Sequence, residues 1–385
     1  MNIHIANRYY PPNPAVTGED ACKLASRLAA GRPDVSVTVH FADAPYLGGG
    51  SRLESTGVLR PIRPLYKGRN KALRFAGNFI EGYLLASAAV KKADLMVSLT
   101  DPPLLNYWSG RICGRKRVPW IYWSFDIYPD AFAAARLVQK ENLFYRHFAG
   151  AVKKNMPDYL IALGPGQAEF IRASYAKEVP FTVLPCGIHR DSASEVAPPW
   201  RRDDGRIYFA YAGNMGEAHS SRFLVDFVRC LDPDRHRCIL ALYGAKAGYV
   251  KRKVDDSEAV EFVSSISRSD LHYVDVHLVS LKPGWTHLCV PSKAVSAICA
   301  SGALLVNGDE SSDTWRMFKE AGWLLNRFGE RSGRKDAIRM ILEELTEPAV
   351  LQEKKARAAA LREELYETER RAYEDILAFV QGKVG

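Results

Sequence analysis

The stretch Ile207-Tyr-Phe-Ala-Tyr-Ala-Gly-Asn-Met-Gly216 is an apolar run that ends in a loop bounded by two glycines. Its apolar part, Ile207–Ala212, predicts a buried strand, and a helix is predicted from about Ser220 to Leu231. Strand, loop and helix in this order open a doubly wound parallel sheet. The alternation continues, with further strands predicted at Cys238–Tyr243, Val260–Phe262, Val276–Ser280 and Ala303–Asn307.

The first half of the chain has the same arrangement. An apolar strand at Asn2–Ala6 leads through a proline-rich loop to Thr17-Gly18 and a predicted helix over Glu19–Ala30. Further strands are predicted at Val35–Phe41, Asp94–Leu99, Trp120–Trp123, Tyr159–Ala162 and Thr182–Leu184. The polar run 191–204 lacks periodicity and is the predicted linker. The predicted fold class is α/β, with two Rossmann-like doubly wound domains over 1–190 and 205–365.

Net charge is divided unevenly between the two halves. The 385 residues include 53 Lys and Arg against 44 Asp and Glu, a net +9 at pH 7. Residues 1–190 hold 25 basic and 14 acidic side chains, a net +11, whereas residues 191–385 hold 28 and 30, a net −2. This asymmetry indicates that the first half faces an anionic partner, such as a membrane surface, a phosphorylated ligand or nucleic acid. The composition excludes collagen-like and disordered classes.

Cysteine usage and hydropathy bear on the compartment. The seven cysteines are scattered and never form a Cys-x-x-Cys pair, which is typical of a reduced, cytosolic protein. The first residues lack the features of a signal peptide, and no stretch reaches 18 consecutive apolar residues. We therefore expect a cytoplasmic protein. Peripheral attachment to the inner face of the plasma membrane stays open, because it needs only exposed apolar and basic side chains.

Several familiar signatures are absent from the sequence. There is no Gly-x-Gly-x-x-Gly fingerprint and no Walker A loop, which disfavours nicotinamide redox chemistry and ATP hydrolysis. No Gly-x-Ser-x-Gly elbow is present. The nine histidines are dispersed without a His-Glu-x-x-His pattern, so no metal site is expected.

Two loops and one helix start are candidate anion sites. Glycines in Thr17-Gly18 and in Gly213-Asn214-Met-Gly216 let the backbone approach a ligand closely at the carboxyl edge of each predicted sheet. Pro291-Ser292-Lys293 predicts a helix start with Ser292 as N-cap and a cation beside backbone N–H groups, which suits a diphosphate. The alternative is an ordinary capped helix with a solvated lysine.

An aromatic strand ends in two carboxylates, Asp126 and Asp130, which would lie at the carboxyl edge of the first sheet. Asp126 can bind hydroxyl groups, orient a nucleophile or act as a base. The alternative is a structural role in the turn.

A basic segment without any acid lies between Glu54 and Glu81, and apolar residues alternate with its cations. This mixture suits an anionic bilayer, although a solvated charged face or nucleic-acid contact would use the same side chains. No nucleic-acid-binding motif accompanies it. The cations are Arg60, Arg63, Lys67, Arg69, Lys71 and Arg74.

Taken together, the motifs resemble the bacterial GT-B glycosyltransferases of the family 4 type. The residues that carry the resemblance are Tyr9-Tyr-Pro-Pro12, Thr17-Gly18, Asp126-Ile-Tyr-Pro-Asp130, Leu184-Pro-Cys-Gly-Ile188, Tyr211-Ala-Gly-Asn-Met-Gly216 and Val290-Pro-Ser-Lys293 before Gly302. The resemblance implies two domains that face a cleft, with the sugar donor held mainly by the second domain. It also implies retention of anomeric configuration, no cofactor and no metal. The terminal helix, 366–385, is expected to cross back to the first domain.

The resemblance also assigns roles to residues. Asp126 corresponds to a cleft residue near the reacting sugar, and Lys293 to the diphosphate-binding cation that stabilises the leaving group. The common pair of glutamates eight residues apart is absent, with Val295 or Ser296 in the region of the second, so Glu310 and Asp313 are predicted to bind donor hydroxyls instead. The remaining donor-binding positions implied are Thr17, Gly18, Gly213, Asn214, Gly216, Tyr243, Gly244, Ser265, Ile266 and Ser292.

The activity implied is a hexosyltransferase that moves a sugar from a UDP- or GDP-sugar to a glycan or lipid-linked acceptor in cell-surface polysaccharide synthesis. An anionic membrane surface is a further expected partner, and nucleic acid is not. Two alternatives stay open at this point: a nucleotide-sugar 2-epimerase of the same fold and a non-catalytic polysaccharide-assembly subunit. A nucleic-acid-binding role ranks third.

Overall fold

The computed structural model describes residues 1–385 except 31–33, 44–52, 67, 69, 177, 327–330 and 384–385, and it leaves out the side chains of 71, 331 and 332. The chain forms two compact units. The first comprises Met1–Cys186 together with Thr368–Gly385, and the second comprises Gly187–Glu367.

The first unit contains a seven-stranded sheet whose strand pairs are all parallel. Its spatial order is β3-β2-β1-β4-β5-β6-β7. The chain therefore reverses direction across the sheet between β1 and β4, the topological switch point where ligands bind in open α/β sheets. The strands are β1 (Asn2–Ala6), β2 (Ser36–Ala42), β3 (Val58–Ile62), β4 (Leu95–Ser98), β5 (Trp120–Ser124), β6 (Tyr159–Ala162) and β7 (Phe181–Val183).

In the described part of residues 1–186, six helices lie between these strands. Asn70 and Asn142 cap the second and fifth of them, because each side chain accepts from a backbone N–H of the first turn. An aromatic cluster that includes Phe79 and Phe148 packs the second, third and fifth helices together. The helices are α1 (Val16–Ala29), α2 (Lys71–Ala89), α3 (Leu105–Lys116), α4 (Asp130–Ala134), α5 (Leu143–Lys154) and α6 (Pro165–Ser174).

The second unit repeats the design with a six-stranded parallel sheet in the order β10-β9-β8-β11-β12-β13. Its switch point lies between β8 and β11. The strands are β8 (Ile207–Asn214), β9 (His236–Tyr243), β10 (Val260–Phe262), β11 (Val276–Ser280), β12 (Ala303–Asn307) and β13 (Gly322–Leu325).

Among the described residues of 187–385, the helices are α7 to α12, and three short 3₁₀ turns accompany them at Asp270–Tyr273, Pro283–Trp285 and Lys319–Ala321. The last helix begins in the second unit, and its final turns, from Thr368, belong to the first. The six helices are α7 (Ser221–Val228), α8 (Ala247–Val254), α9 (Ser292–Cys299), α10 (Asp313–Phe318), α11 (Arg331–Glu344) and α12 (Pro348–Gln381).

The predicted α/β class with two Rossmann-like parallel sheets is confirmed. Two strands were not predicted. The edge strand β3 has exposed residues over most of its length and includes Arg60 and Pro61, so it lacks the apolar run by which buried parallel strands are recognised. The other, β13, is the four-residue run Gly322–Leu325, whose first residue is a glycine with low strand propensity. Strand β8 also extends two residues beyond the predicted end, through Gly213 and Asn214.

Residues 191–204 contain no regular element, yet they are packed on the second unit. Trp200 is 5% exposed and lies in a core cluster with Tyr208. Arg201 forms an ion pair of 2.8 Å with Asp275, and Ser194 donates a hydrogen bond of 2.8 Å to Asp270. The segment is therefore anchored by specific contacts along its length.

Within the described ranges, no helix is both long and apolar enough to cross a membrane. The seven cysteines are all free thiols.

Candidate functional site

In the second unit, the loops after β8 and β9 touch each other at the carboxyl edge of the sheet. Gly213 and Gly244 both have positive φ, +118° and +94°. A Cβ atom on Gly244 would lie 2.0 Å from Oδ1 of Asn214, and the positive φ is strained for other residues, so glycine is strongly favoured there. The two predicted donor loops are thus in direct contact.

Lys293 reaches this pair of loops from α9. Its Nζ donates to the backbone carbonyl of Asn214 at 3.1 Å, and its Cε would lie 3.1 Å from a Cβ on Gly213. The ammonium group also lies 5.3 Å from the centre of the Tyr211 ring, a cation–π distance. The structure therefore brings Lys293 together with Gly213 and with Asn214, from which it is 79 residues apart in sequence.

The start of α9 differs in detail from the prediction. The N-cap position is Pro291, Ser292 is the first helical residue, and no side chain caps the helix. The prediction of Ser292 as N-cap is therefore wrong. Val295 is fully buried, and Ser296 donates to the carbonyl of Gly187 at 3.3 Å, so neither takes the place of a ribose-binding glutamate.

Two lysines that sequence reasoning missed tie down residues 216–219, the end of the β8 loop. Lys246 donates to the carbonyls of Gly216, Glu217 and His219 at 3.1 to 3.3 Å and forms an ion pair of 3.0 Å with the Glu217 carboxylate. Lys282 donates to the Glu217 carbonyl at 2.6 Å. Each lysine follows a strand end by two or three residues, a position that could have marked it.

The predicted base-binding residues lie at the ends of two neighbouring strands. Tyr243 is the last residue of β9 and Gly244 follows it, while Ser265 and Ile266 follow β10, which pairs with β9. Ser265 is exposed, whereas Ile266 packs against the Trp200 cluster. Ser265 is thus the accessible member of the second pair.

The two acids predicted to bind donor hydroxyls have different environments. Glu310 is exposed in the loop after β12, whereas Asp313 is 1% exposed and begins α10. Ser312 caps this helix through the backbone N–H of Trp315 at 3.3 Å. Glu310 is therefore the accessible carboxylate of the two.

In the first unit, the first turn of α1 approaches the end of β4. Thr17 and Gly18, predicted to lie in the loop before the first helix, are part of this turn, because α1 begins at Val16. Thr17 donates from its hydroxyl to the Asp101 carboxylate at 3.4 Å. A Cβ on Gly18 would lie 2.9 to 3.0 Å from the backbone of Tyr9 and Tyr10, so close packing of the loop requires glycine here. Asp101 is a site residue that sequence reasoning missed, although it lies three residues beyond β4.

Asp126 lies at the end of the neighbouring strand β5 and is partly buried. Burial, and to a lesser extent the nearby Asp101 charge, raises the pKa of Asp126 to about 7. Burial also raises the pKa of Asp101, while Arg8 and the Thr17 hydroxyl oppose that rise. This edge therefore holds two carboxyl groups, one of which changes charge near neutral pH.

Behind these groups, Arg8 forms an ion pair of 3.5 Å with the buried Glu81 and a hydrogen bond to Asn78. Sequence reasoning missed all three, because Glu81 and Asn78 are interior positions of α2 with no motif around them.

Asp130, the second acid predicted at this edge, has structural partners: Tyr145 donates to it at 2.8 Å and Lys140 lies 3.5 Å away.

The predicted basic segment is only partly described. Arg60, Arg63 and Arg74 are exposed on the first unit. Lys67, Arg69 and the side chain of Lys71 lie outside the described residues.

In the part of the chain that the structure describes, no group of three His, Cys, Asp or Glu side chains could hold a metal ion.

Comparison with known proteins agrees with this architecture. No family model matches the chain. The probable glycosyltransferase WbjE of Pseudomonas aeruginosa is 22% identical over 272 residues, which cover 63% of this chain and 64% of WbjE. WaaG, a glycosyltransferase involved in lipopolysaccharide biosynthesis, superposes with a TM-score of 0.67 at 17% identity over 98% of this chain and 99% of WaaG.

The chain has the GT-B fold. HepE of Anabaena, in complex with UDP, shares the GT-B fold with a TM-score of 0.63 at 14% identity, over 98% of this chain and all of HepE. A trehalose-6-phosphate protein from E. coli bound with UDP-2-fluoro glucose has a TM-score of 0.68 at 10% identity, over 99% and 98% of the two chains. At these identities the structural matches establish the GT-B fold alone.

Proposed function

We propose that this protein is a glycosyltransferase that transfers a sugar from a nucleotide-sugar to a glycan or lipid-linked acceptor in cell-surface polysaccharide synthesis. The observation that carries the proposal is the convergence of Lys293 with the loops of Gly213 and Gly244 at one sheet edge. The homologous WbjE and the two GT-B structures that hold UDP or a UDP-sugar support it.

The donor diphosphate binds, in this proposal, at the start of α9. An α-helix presents backbone N–H groups and a partial positive charge at its first turn, and Lys293 adds a full charge there. Because these groups are already held in place, they stabilise the negative charge that develops on the leaving diphosphate. The reaction therefore needs no divalent metal. When the bond to the sugar breaks, the protein still holds both phosphates of the departing UDP or GDP.

The nucleoside part of the donor extends from this point along the carboxyl edge of the second sheet. Tyr243, Gly244 and Ser265 contact the base, and Glu310 binds ribose or sugar hydroxyls in place of the absent pair of glutamates. Its exposure makes Glu310 better suited to this role than the buried Asp313.

Asp126 orients the acceptor hydroxyl, which attacks from the face that the diphosphate leaves, so that anomeric configuration is retained. The leaving phosphate takes the acceptor proton, and the carboxylate of Asp126 stabilises the positive charge that develops on the sugar. Thr17 lies at the same sheet edge as Asp126, because its hydroxyl donates a hydrogen bond to the neighbouring Asp101.

The first unit docks, in this proposal, on an anionic membrane at the cytoplasmic face. Arg60, Arg63 and Arg74 are exposed there, and α2 exposes an apolar stripe of Leu73, Ile80 and Leu84 at helical spacing. Basic and apolar side chains on one surface are what a peripheral protein needs to bind anionic lipid.

The direct test is a thermal-shift screen with UDP, GDP and ADP, followed by transfer assays with the matching nucleotide-sugars in EDTA. One nucleotide is expected to raise the melting temperature, because it binds only the folded state. Sugar transfer is expected to persist in EDTA. Binding of none of the three nucleotides, or conversion of UDP-N-acetylglucosamine without an acceptor, would contradict the proposal.

A further inference from the structure

Both ring nitrogens of His219 lie within hydrogen-bond distance of another residue. Nδ1 lies within hydrogen-bond distance of the backbone carbonyl of Ser280, the last residue of β11. Nε2 lies 3.3 Å from Nζ of Lys293. The ring thus connects the end of a central strand to the cation that the proposed function places on the donor diphosphate.

These two contacts determine the tautomer of the ring. A backbone carbonyl only accepts hydrogen bonds, so Nδ1 of His219 must carry the proton and donate it to Ser280. A lysine ammonium only donates, so Nε2 must be unprotonated and accept from Lys293. An imidazolium would direct an N–H at the ammonium and lose this bond.

The surroundings also oppose protonation of His219. Burial lowers its pKa to about 3, and the positive charges of Lys293, Lys246 and Lys282 add to the effect, while the bond to Ser280 opposes it. Each lysine comes from a different element, namely α9 and the loops after β9 and β11. The fourth neighbour, the uncharged Tyr211 ring on β8, lies edge-on at 6.2 Å.

Ser280 anchors the ring because it is itself immobilised. It is fully buried and pairs with Asn307 of β12 in the sheet. Its hydroxyl accepts from the backbone N–H of Ser220, the residue next to His219, at 2.9 Å. Carbonyl and hydroxyl together hold the ring and the adjacent backbone against β11.

We propose that His219 is a positioning residue: a permanently neutral imidazole, oriented by Ser280, that holds the Lys293 ammonium in place for the donor diphosphate. This rests on the function proposed above for Lys293. A lysine has four rotatable side-chain bonds, so an acceptor that restricts it lowers the conformational cost of binding an anion.

Two amide substitutions test the two hydrogen bonds of the His219 ring separately. In His219→Asn the shorter amide replaces Nδ1 and can still donate to Ser280, whereas in His219→Gln the longer amide places an acceptor near Nε2, toward Lys293. We expect His219→Asn to weaken UDP binding about tenfold by calorimetry and His219→Gln about twofold. Equal losses in both variants would overturn the proposal.

The same substitution is then made in a Lys293→Ala background. If His219 acts through Lys293, His219→Asn causes no further loss of UDP affinity there. A full tenfold loss in that background would show that His219 acts on the ligand or on folding directly. Melting temperatures of all variants, measured without nucleotide, detect any change in folding.

Nitrogen NMR of the ligand-free protein tests the inference apart from the proposed function. His219 is expected to show the neutral Nδ1–H tautomer at every pH from 5 to 8. A charged ring or the Nε2–H tautomer would overturn the inference even if UDP binds. Absence of nucleotide binding with the expected tautomer would instead contradict the proposed function and, with it, the diphosphate role of His219.

Discussion

The carboxyl edges of the two sheets carry opposite charges, and each is opposite to the charge of its own half of the sequence. Residues 1–190 are net basic, yet Asp101 and Asp126 meet at the edge of the first sheet. Residues 191–385 are slightly acidic, yet Lys246, Lys282 and Lys293 surround one loop at the edge of the second. Bulk charge therefore does not indicate which unit holds an anionic ligand.

The two edges also shift titratable groups in opposite senses, although burial dominates both. At the first edge it raises the pKa of Asp126, and a neighbouring carboxylate adds to the rise. At the second it lowers the pKa of His219, and three lysines add to the fall. In both cases the neighbours come from different elements of the chain, so the electrostatic character of each edge arises from how loops and helix starts pack together.

The largest effect is expected from removing the cation of the second edge. Lys293→Ala should lower kcat/KM about 300-fold, because the leaving diphosphate loses its charged donor. Steady-state kinetics with the nucleotide-sugar identified in the screen would measure this. Lys253→Ala, on the exposed face of α8, is the matched control and should leave the rate unchanged. Similar losses in both variants would refute a specific role for Lys293.

Removing exposed arginines of the first unit, which leaves its acidic sheet edge unchanged, is expected to have a slightly smaller effect, on binding to anionic membranes. Replacing Arg60, Arg63 and Arg74 by Gln should remove about 3 kcal/mol of binding to anionic vesicles, since each surface cation contributes about 1 kcal/mol. Co-sedimentation with phosphatidylserine vesicles measures it, with neutral vesicles as control. Unchanged sedimentation would contradict membrane docking through these residues.

Two glycines of the second edge provide a matched steric pair. Gly244→Ala should destabilise the protein by about 2 kcal/mol, because φ is positive and the new Cβ would overlap Asn214. Gly216→Ala should be nearly neutral, since its nearest neighbour, Nδ2 of Asn214, would be 3.4 Å away. Urea denaturation of both variants tests the contact between the two loops. Equal stabilities would argue against that contact.

The acidic edge predicts a pH dependence. Because the pKa of Asp126 is raised to about 7, kcat/KM should increase about tenfold as pH rises through 7 and the carboxylate forms. Asp126→Asn should remove this dependence. Asp101→Asn should move the midpoint to lower pH, because a neighbouring negative charge is lost. Asp130→Asn is the control and should leave the midpoint unchanged.

The same pKa shift affects stability with a defined sign. Between about pH 4 and pH 7 the folded protein retains the Asp126 proton that the unfolded chain releases. The contribution of Asp126 to the free energy of unfolding therefore falls as pH rises through this interval and is constant above it. Comparing wild type with Asp126→Asn by urea denaturation at several pH values isolates this contribution. A difference that does not change with pH would contradict the raised pKa.

The smallest effect concerns the acids after β12. Glu310→Ala should weaken donor binding a few-fold, about 1 kcal/mol, as expected for one exposed hydrogen-bonding carboxylate. Asp313→Ala should act mainly through stability, because Asp313 is buried at the start of α10. Calorimetry and denaturation of both variants separate the two effects. Unchanged donor affinity in both would remove these residues from the site.

Much of this arrangement was accessible from the amino-acid pattern. Buried parallel strands are continuous apolar runs, so Ile207–Ala212 and its counterparts indicated both sheets, and a parallel sheet places its strand ends on one edge. Asp126, Gly213 and Lys293 could be located because each lies near the end of a strand or in the first turn of a helix. Strand β3 could not, because its exposed, arginine-bearing residues lack that apolar signal.

The partners of these residues were not accessible in this way. Nothing local to Thr17 points to Asp101, 84 residues away, and nothing local to His219 points to Lys293, 74 residues away. Periodicity arises from contacts between each residue and its own strand or helix, and can be recognised in a short window of sequence. Which side chains meet at a sheet edge depends on strand order and on how separate loops pack, and both are established only when the chain folds.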